Sequence, residues 1–499
     1  MGSYQPKALG NSLLKEFPID RTFRNLNHGK YSDTSLLYSQ LSDSNINLSG
    51  SFGTYPIAIL NKFRELQDKF EASPDRFLRF ELAFYLLESR KALSSLLNTP
   101  VNSTVFVKNA TTGVNTVLRN LVYHPGDIIV YFSTVYGAVE KLIASLAETT
   151  PVRARKVNYE FPISHDELVQ RFMDTVTKAR SEGLNVRIAV FDTIVSSPGI
   201  RLPFEKLTEV CRKEGILSCI DGAHGVGQIP LDLGKLDPDF FVSNCHKWLF
   251  VPRGCAVFYV PQRNQHLIRT TVPTSHGFVP VPRIMKTGSE LEEDGPFAKP
   301  IDAFFAQSDF ELQFEFIGTN DDLPYLCVPD AMKYRQEVCG GEEKIMQYCQ
   351  TLAFEAGNRV ARIWGTDVLS EFCSSGGHLD VTKEKRSEFR KCAFANVRLP
   401  ITLVDDQNVP QGRIAKAEWP VVRMADAVPT CRAMEQRLVL KHSTMSPCYV
   451  HAGSIWTRLS AQVYLEVSDF EWLASVFKKI FEELAIEGSM ASLDINPKL

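Results

Sequence analysis

A lysine and an aspartate each follow an apolar, strand-like run, and together they suit a cofactor site. Lys247 lies in the stretch SNCHKW at residues 243–248, directly after the apolar run 239–242. Asp221, 26 positions earlier, follows the run 216–220 and begins the stretch DGAH. A lysine amine can bind the aldehyde of pyridoxal phosphate, while a carboxylate beside the pyridine nitrogen keeps that nitrogen protonated. The pair therefore predicts pyridoxal phosphate chemistry.

The elements that must position these residues alternate between strands and helices. The pattern predicts strands at 104–108, 127–132, 153–159, 186–191, 216–220, 240–243 and 255–260, with helices at 138–148, 166–181 and 204–214. Ser164 is a candidate cap of the second helix, with Glu167 three residues after it. Such alternation predicts a largely parallel sheet covered by helices on both faces. Ligands of such sheets bind beyond the carboxyl ends of the strands, and both Asp221 and Lys247 fall there.

Three regions are predicted along the chain. Residues 1–55 would form an N-terminal arm, 56–328 a large cofactor-binding domain, and 329–499 a smaller α+β domain. An irregular stretch at 272–300 precedes a helical segment near 329–348, and a last helix is expected at 469–485. The predicted fold class is therefore α/β with a second, smaller domain.

Composition excludes several classes of protein. The chain has 499 residues, of which 44% are apolar and 23% charged, with a net charge of −3. These values indicate a globular protein with no nucleic-acid or anionic-membrane partner. No basic and apolar leader is present at the start, and the 11 cysteines lack CxxC pairs, so we expect reduced thiols, a cytoplasmic location and no metal site. The final Pro497-Lys498-Leu499 differs from a peroxisomal Ser-Lys-Leu signal in its first residue and is interpreted as an ordinary polar tail.

The stretch 109–115 is the candidate phosphate site. Thr111 and Thr112 precede a helix expected at 114–121, and hydroxyl and backbone N–H groups at a helix N-terminus suit a phosphate. Threonine also caps helices without any ligand, but the Asp221 and Lys247 blocks downstream favour the phosphate interpretation. His246, next to the lysine, could donate to the same phosphate.

Other candidates depend more on context. Tyr136 follows a predicted strand and could stack on the cofactor ring, although a packing role is nearly as plausible. His224 could bond the ring hydroxyl. Arg458, in a strand-like stretch, could hold a substrate carboxylate with two parallel bonds, or lie at the surface. Thr319, in a Gly-Thr turn, could reach a phosphate across a dimer interface, or simply belong to the turn.

The chain resembles the class V aminotransferases, which are fold-type I pyridoxal phosphate enzymes. The resemblance covers nearly the whole chain through the blocks 27–29, 109–112, 221–224, 244–248, 275–277, 318–319 and 458–460. The blocks at 221–224 and 244–248 are specific for the fold and the cofactor, and much less so for the reaction. Relatives include isopenicillin N epimerases, cysteine desulfurases and hercynylcysteine sulfoxide lyases. The resemblance is strongest to a fungal branch typified by the C–S lyase of ergothioneine biosynthesis.

The resemblance implies a role for each matched residue and a homodimer as the working unit. Lys247 would bind the cofactor and Asp221 its ring nitrogen. Thr319 would reach the partner's phosphate. The remaining cofactor contacts would be Thr111, Thr112, Tyr136, His224, Asn244 and His246, and the substrate contacts Arg458, His28 and His276.

The N-terminal block departs from the family's pattern. The motif Asn-His-Gly-Ser-Phe-Gly begins at Asn27 but resumes only at Ser51, so 21 residues, 30–50, interrupt it. Codons for Gly29-Lys30-Tyr31 can contain GTAAGT, and those for Ser49-Gly50 can supply CAG. We therefore hypothesise that residues 30–50 are an unspliced intron, the alternative being a surface loop.

The favoured reaction is a C–S β-elimination. Lys247, once displaced by the substrate amine, is well placed to remove the Cα proton, and loss of a sulfur group from Cβ leads to pyruvate and ammonia. An epimerase or another pyridoxal phosphate enzyme of secondary metabolism remains the main alternative. A desulfurase would need a nucleophilic cysteine, for which Cys373 is the nearest candidate, and a transaminase is less favoured. A non-catalytic relic is the alternative outside enzymes.

Overall fold

A computed structural model describes residues 6–19, 24–26, 53–275, 277–278, 308–371, 387–405 and 419–487. Several sequence-based predictions lie outside the described residues. They concern His28, the segment 30–50, His276, Cys373 and the terminal tripeptide.

Strands and helices alternate through the first half of the described chain, as the sequence predicts. The strands are β1 Arg24–Asn25, β2 Thr104–Val107, β3 Asp127–Phe132, β4 Arg153–Val157, β5 Asn185–Asp192, β6 Leu217–Asp221, β7 Phe240–Asn244, β8 Ala256–Tyr259, β9 Phe394–Arg398, β10 Thr402–Val404, β11 Val421–Arg423, β12 Thr444–Met445, β13 Cys448–His451 and β14 Ser454–Ser460. The helices are α1 Ile57–Ala72, α2 Pro74–Arg76, α3 Leu82–Leu96, α4 Ala110–Asn120, α5 Gly137–Thr149, α6 His165–Ser181, α7 Phe204–Lys213, α8 Leu233–Leu236, α9 Cys245–Trp248, α10 Asp309–Glu315, α11 Leu323–Leu326, α12 Val328–Glu337, α13 Glu342–Trp364, α14 Ala427–His442 and α15 Val467–Glu487.

A seven-stranded sheet forms the centre of the large domain, with the strand order β2-β8-β7-β6-β5-β3-β4. The pairs β3–β4, β3–β5, β5–β6 and β6–β7 are parallel, whereas β8 is antiparallel to both β7 and β2. The residues of β3 and β7 are all buried, because helices cover both faces of the sheet. The predicted, mostly parallel α/β architecture is confirmed.

The smaller domain is built on a three-stranded antiparallel sheet in the order β13-β14-β9. The long helices α13 and α15 pack on each other beside this sheet, and Trp364 of α13 stacks edge-on against Phe477 of α15. The helical segment expected near 329–348 is two helices instead, because Gly340 and Gly341 both have positive φ and end the first of them. The boundaries of the three predicted regions stay predictions.

Two features of the described residues bear on compartment and metals. Within these ranges, no helix is both long and apolar enough to cross a membrane. In the same ranges the structure shows no disulfide and no cluster of side chains that could hold a metal ion.

Candidate active site

The carboxyl ends of β5, β6 and β7 open onto one cavity of about 1130 Å³. This is where a parallel sheet is expected to bind its ligand. Eight of the residues singled out in the sequence line this cavity: Thr111, Thr112, Tyr136, Asp221, His224, Asn244, His246 and Lys247. The strands thus bring together side chains that are up to 136 positions apart in the sequence.

Lys247 lies in α9, a single turn that follows β7 directly, and its amine is enclosed. Burial, with the charges of Asp221, Arg458 and Asp192 acting in addition, lowers the pKa of Lys247 to about 8; the Arg458 charge adds to the decrease and the two carboxyls oppose it. A buried lysine with a depressed pKa has a substantial neutral fraction near neutral pH. The amine is therefore prepared for nucleophilic attack on an aldehyde and for proton transfer.

Asp221 ends β6 and is also buried. Its Oδ1 accepts a hydrogen bond of 3.0 Å from the backbone N–H of Ala223. Burial raises the pKa of Asp221, whereas this hydrogen bond and the Lys247 charge oppose the increase. A cationic ring nitrogen beside the carboxyl would favour its charged form in the same way.

His224 contacts the lysine in the described structure. Its Nε2 lies 3.2 Å from Lys247 Nζ, and its Nδ1 accepts from the Trp248 indole N–H at 3.3 Å. Because Nδ1 accepts, the neutral ring carries its proton on Nε2, facing the lysine amine. His224 is thus placed to hold the amine in position, a contact that the sequence did not predict; its role toward the ring oxygen stays a prediction.

The candidate phosphate site is the N-terminus of α4, which begins at Ala110, four residues earlier than expected. Asn109 caps the helix through a 2.8 Å bond from the Thr112 N–H, and Asn244 accepts from the Ala110 N–H at 2.8 Å. Asn244 therefore ties β7 to the helix rather than pointing freely into the cavity. Thr111 faces the cavity and makes no side-chain hydrogen bond within the described part of the chain, so its hydroxyl is available to an anion.

His246 lines the cavity and also bonds the backbone; its contact with a phosphate stays a prediction. Its Nδ1 lies 2.9 Å from the Cys255 carbonyl oxygen, which can only accept. Burial and the neighbouring Lys247 charge lower the pKa of His246 to about 4, so the neutral ring donates from Nδ1 and leaves Nε2 as an acceptor. The ring can donate to a phosphate only after that phosphate has raised its pKa by charge attraction.

Residues just after the interrupted N-terminal motif pack on the lysine segment. Gly53 has φ +71°, and a Cβ at this position would lie 1.8 Å from the His246 carbonyl oxygen. Its own carbonyl accepts from Arg253, a cavity residue, at 3.3 Å. Only glycine fits this close approach, so the motif supports the backbone that carries Lys247.

Arg458 is fully buried in β14, and the surface interpretation is therefore wrong. Its Nη1 donates to the Ser196 carbonyl at 2.8 Å, and its guanidinium lies 4.2 Å from the centre of the Phe394 ring. Burial lowers the pKa of Arg458 to about 9, which leaves it charged at neutral pH. Ser196 lines the cavity, whereas Arg458 is not among the residues that line it. The role of Arg458 as a carboxylate anchor therefore stays a prediction.

Of the two remaining candidates, Tyr136 lines the cavity and Thr319 does not. Tyr136 is half-buried at the start of α5 and lines the cavity. Thr319 is exposed in a bend and is not among the residues that line the cavity.

Asp192 is a site residue that the sequence analysis missed. It ends β5, lines the cavity, and pairs in register with Asp221 on the neighbouring strand β6. The sequence contained one signal, since Asp192 also follows an apolar run at a strand end. Only the strand order reveals that this end lies beside that of Asp221.

The donor set fits pyridoxal phosphate. The cavity offers an enclosed, partly neutral lysine amine, a buried carboxyl 26 positions before it, and a helix N-terminus with an available threonine hydroxyl. These match the aldehyde, the ring nitrogen and the phosphate of the cofactor, respectively.

Comparisons with known proteins agree with this geometry. Residues 62–279 match the family model of aminotransferase class V. The chain is 38% identical to the L-cysteine desulfhydrase-like protein lolT1 of Epichloe uncinata, over 95% of this chain and 96% of that protein. It is 28% identical to the hercynylcysteine sulfoxide lyase of Schizosaccharomyces pombe, over 94% of this chain and 97% of that one.

The fold is also that of a solved structure, the cystine C–S lyase C-DES in complex with its product cysteine persulfide. The TM-score is 0.55 at 17% identity, with 87% of this chain and 95% of that chain covered. This likeness concerns the fold alone. The end-to-end match at 38% identity is what shows that this chain belongs to the class V aminotransferase family, with pyridoxal 5′-phosphate as its cofactor.

Proposed function

We propose that the chain is a pyridoxal phosphate-dependent C–S β-lyase. It would cleave a cysteine conjugate to a thiol, or the sulfoxide of a conjugate to a sulfenic acid, and water would convert the remaining three carbons to pyruvate and ammonia. The observation that carries the proposal is the enclosed Lys247 amine, whose pKa of about 8 suits proton removal near neutral pH. Relatives that match nearly end to end are named L-cysteine desulfhydrase-like protein and hercynylcysteine sulfoxide lyase. These names support carbon–sulfur cleavage over other reactions of the family.

Each residue of the site would have its own role in the reaction. When bound, the cofactor withdraws electrons from the substrate's Cα. Lys247 would remove the Cα proton, and His224, at 3.2 Å, would hold the amine toward the substrate. Arg458 would bind the α-carboxylate, because its buried charge gains most from an anionic partner. Asp221 would keep the ring nitrogen protonated.

The lining of the cavity favours a substrate that carries an organic group on its sulfur. The volume of about 1130 Å³ must hold the cofactor as well as the substrate. One wall comes from the smaller domain and combines apolar side chains with a charged one: Val428, Cys431, Arg432, Tyr449 and Val450. We infer that this wall contacts the organic group on sulfur. Hercynylcysteine sulfoxide is the first such substrate to test.

The first experiment is spectroscopic. Purified wild-type protein should show the visible absorbance of a lysine-bound cofactor, and Lys247→Ala should lose it. Lys141→Ala is the matched control, since Lys141 is an exposed lysine that lines the same cavity, and it should keep the absorbance. A colourless wild-type protein that takes up no pyridoxal phosphate would contradict the proposal.

The second experiment identifies the reaction. Wild-type protein is incubated with L-cysteine, S-substituted cysteines and their sulfoxides, while pyruvate, ammonia and sulfide are assayed. We expect pyruvate from a sulfoxide or thioether, and a slower reaction with L-cysteine. Exchange of the α-proton without any pyruvate would instead identify an epimerase and refute the lyase.

We also propose a cytoplasmic homodimer in which Thr319 contacts the partner's phosphate group. The exposure of Thr319 away from the cavity supports the proposal, because a residue that serves a neighbour's site must lie at the surface. Light scattering should give a dimer mass, and Thr319→Val should weaken cofactor binding while the dimer persists. A monomer that binds the cofactor with full affinity would contradict it.

A further inference from the structure

Asp192 is a second buried carboxyl in the active site, and none of the assigned roles uses it. It lies at the end of β5, in register with Asp221 at the end of the parallel neighbour β6. Adjacent strands lie about 4.8 Å apart, so the two carboxyls begin from neighbouring backbone positions. Asp192 is 4% exposed and Asp221 is 2% exposed. Both side chains line the cavity.

One oxygen of Asp192 has no partner. Its Oδ2 is buried and makes no hydrogen bond with any described residue. Asp221 accepts a bond from the Ala223 N–H, and Asp192 is stabilised by a backbone hydrogen bond of its own, so the difference between them is the unpartnered Oδ2. A buried carboxylate without donors is costly, whereas a neutral carboxylic acid has a proton to give and requires only an acceptor.

The surroundings of Asp192 also favour its protonated form. Burial raises the pKa of Asp192 most and the Asp221 carboxyl raises it further, while the Lys247 charge and a backbone hydrogen bond only partly oppose them. Burial raises the pKa of the Tyr159 hydroxyl, and the Asp192 charge raises it as well. This hydroxyl is therefore neutral, and it bonds Thr134 at 2.7 Å. Two neighbouring carboxyls do not both ionise readily, so one holds the proton. Both carboxyls receive a backbone hydrogen bond, but only Asp192 keeps a buried oxygen without a partner and has its pKa raised by the charge of the other carboxyl. The proton is therefore assigned to Asp192.

We propose that Asp192 is a neutral carboxylic acid that donates a hydrogen bond to an acceptor oxygen of the ligand in this cavity. That oxygen belongs either to the cofactor ring or to the substrate's carboxylate, which Arg458 would hold on the same side of the cavity. Asp192 is then a positioning residue: it fixes the ligand through its proton, whereas Asp221 acts through its charge. The proposal rests on the proposed cofactor site.

The test compares two substitutions. Asp192→Asn keeps the shape and an N–H donor but cannot ionise. Asp192→Ala removes the donor. If the donor matters, Asp192→Ala should weaken ligand binding about 5- to 10-fold, and Asp192→Asn should restore most of that loss. If instead the charge mattered, Asn would bind as poorly as Ala, and the proposal would be overturned.

Two titrations distinguish whether Asp192 donates to the cofactor ring or to the substrate's carboxylate. Titration of the full-length protein with pyridoxal phosphate alone measures contact with the ring oxygen. Titration of the cofactor-loaded protein with glycine, followed by the change in visible absorbance, measures contact with the carboxylate. A loss in Asp192→Ala in either titration, restored by Asn, supports the proposal. Equal binding by all three proteins in both titrations overturns it.

Infrared difference spectra give a readout that does not depend on ligand affinity. The cofactor-loaded wild type minus Asp192→Asn should show the C=O stretch of a protonated carboxyl at pH 7. Wild type minus Asp221→Asn should show a carboxylate band instead. A carboxylate band in the Asp192 difference overturns the proposal even if Asp192→Ala fails to fold. Failure of the proposed function is distinct, since there the cofactor-loaded wild type would exchange the α-proton of the cysteine conjugates without releasing pyruvate.

Discussion

The ionisation of Lys247 makes a sharp prediction about how pH controls cofactor binding. The pKa of this lysine falls from 10.5 to about 8. At about 1.4 kcal/mol for each pH unit, the difference amounts to about 3 kcal/mol, and at pH 7 the neutral amine is on the order of 300 times more abundant than on an exposed lysine. Because only the neutral amine attacks an aldehyde, the rate of cofactor attachment should rise with pH and reach half its maximum near pH 8.

Two substitutions should move this midpoint in opposite directions. The Asp221 charge raises the pKa of Lys247, and the Arg458 charge lowers it. Asp221→Asn should therefore shift the midpoint to lower pH, because it removes the anion that favours the protonated amine. Arg458→Gln should shift it to higher pH, because it removes a repelling cation.

The assay mixes full-length protein, stripped of cofactor, with pyridoxal phosphate and follows the visible absorbance over pH 6 to 10. Lys141→Ala should leave the midpoint where it is in the wild type, since Lys141 is exposed at the cavity edge. A wild-type midpoint above pH 10 would show that the amine is not desolvated. Shifts of the same sign in Asp221→Asn and Arg458→Gln would refute the electrostatic reasoning.

Three further predictions concern the support of the site. Gly53→Ala should lower the free energy of unfolding by several kcal/mol and weaken cofactor binding, because the added Cβ would lie 1.8 Å from a backbone oxygen. Gly215→Ala is the control: Gly215 also has a positive φ but lies in open space, so this substitution should cost only about 1–2 kcal/mol. Thermal unfolding and cofactor titration measure both effects. Asn244→Ala should cost about 1–3 kcal/mol and bind the cofactor about 10-fold more weakly, since it leaves the Ala110 N–H without its acceptor; equal affinity would contradict the role. Deletion of residues 30–50 should improve cofactor binding, and transcript sequencing should find the 63-nucleotide interval removed; a dominant message that keeps it would refute the intron hypothesis.

The strands of the large domain were predictable because each is a short apolar run bounded by polar or glycine-rich residues. The cap of α6 was predictable for a similar, local reason, and the Glu167 N–H does bond the Ser164 hydroxyl at 3.1 Å. The start of α4 was predicted too late. Its first turn contains two threonines and a glycine, which are poor helix formers, but the Asn109 cap outweighs that local preference.

The missed and corrected residues share another cause, namely that their environments depend on distant strands. Arg458 could be interpreted as a surface residue because its neighbours Phe394 and Ser196 are far away in the sequence. The tautomer of His246 depends on the carbonyl of Cys255, the residue directly before β8. The carbonyls of Ser196 and Cys255 cannot be recognised as partners from the sequence, because every residue has a backbone carbonyl.

The segment after β5 explains how the two domains share one site. Its Ser196 carbonyl holds Arg458, and the N–H and carbonyl of Gly199 both bond the side chain of Asn396, at 2.8 Å each. Asn396 in turn accepts from the Tyr449 hydroxyl at 2.7 Å, and Tyr449 lines the cavity. The same segment follows Asp192, which lies beside Asp221 on the neighbouring strand. One stretch of backbone therefore connects the strand end at the proposed cofactor site with the carbonyl that Arg458 contacts. Under the proposed function, substrate specificity can change along the wall of the smaller domain while the chemistry at Lys247 keeps its geometry.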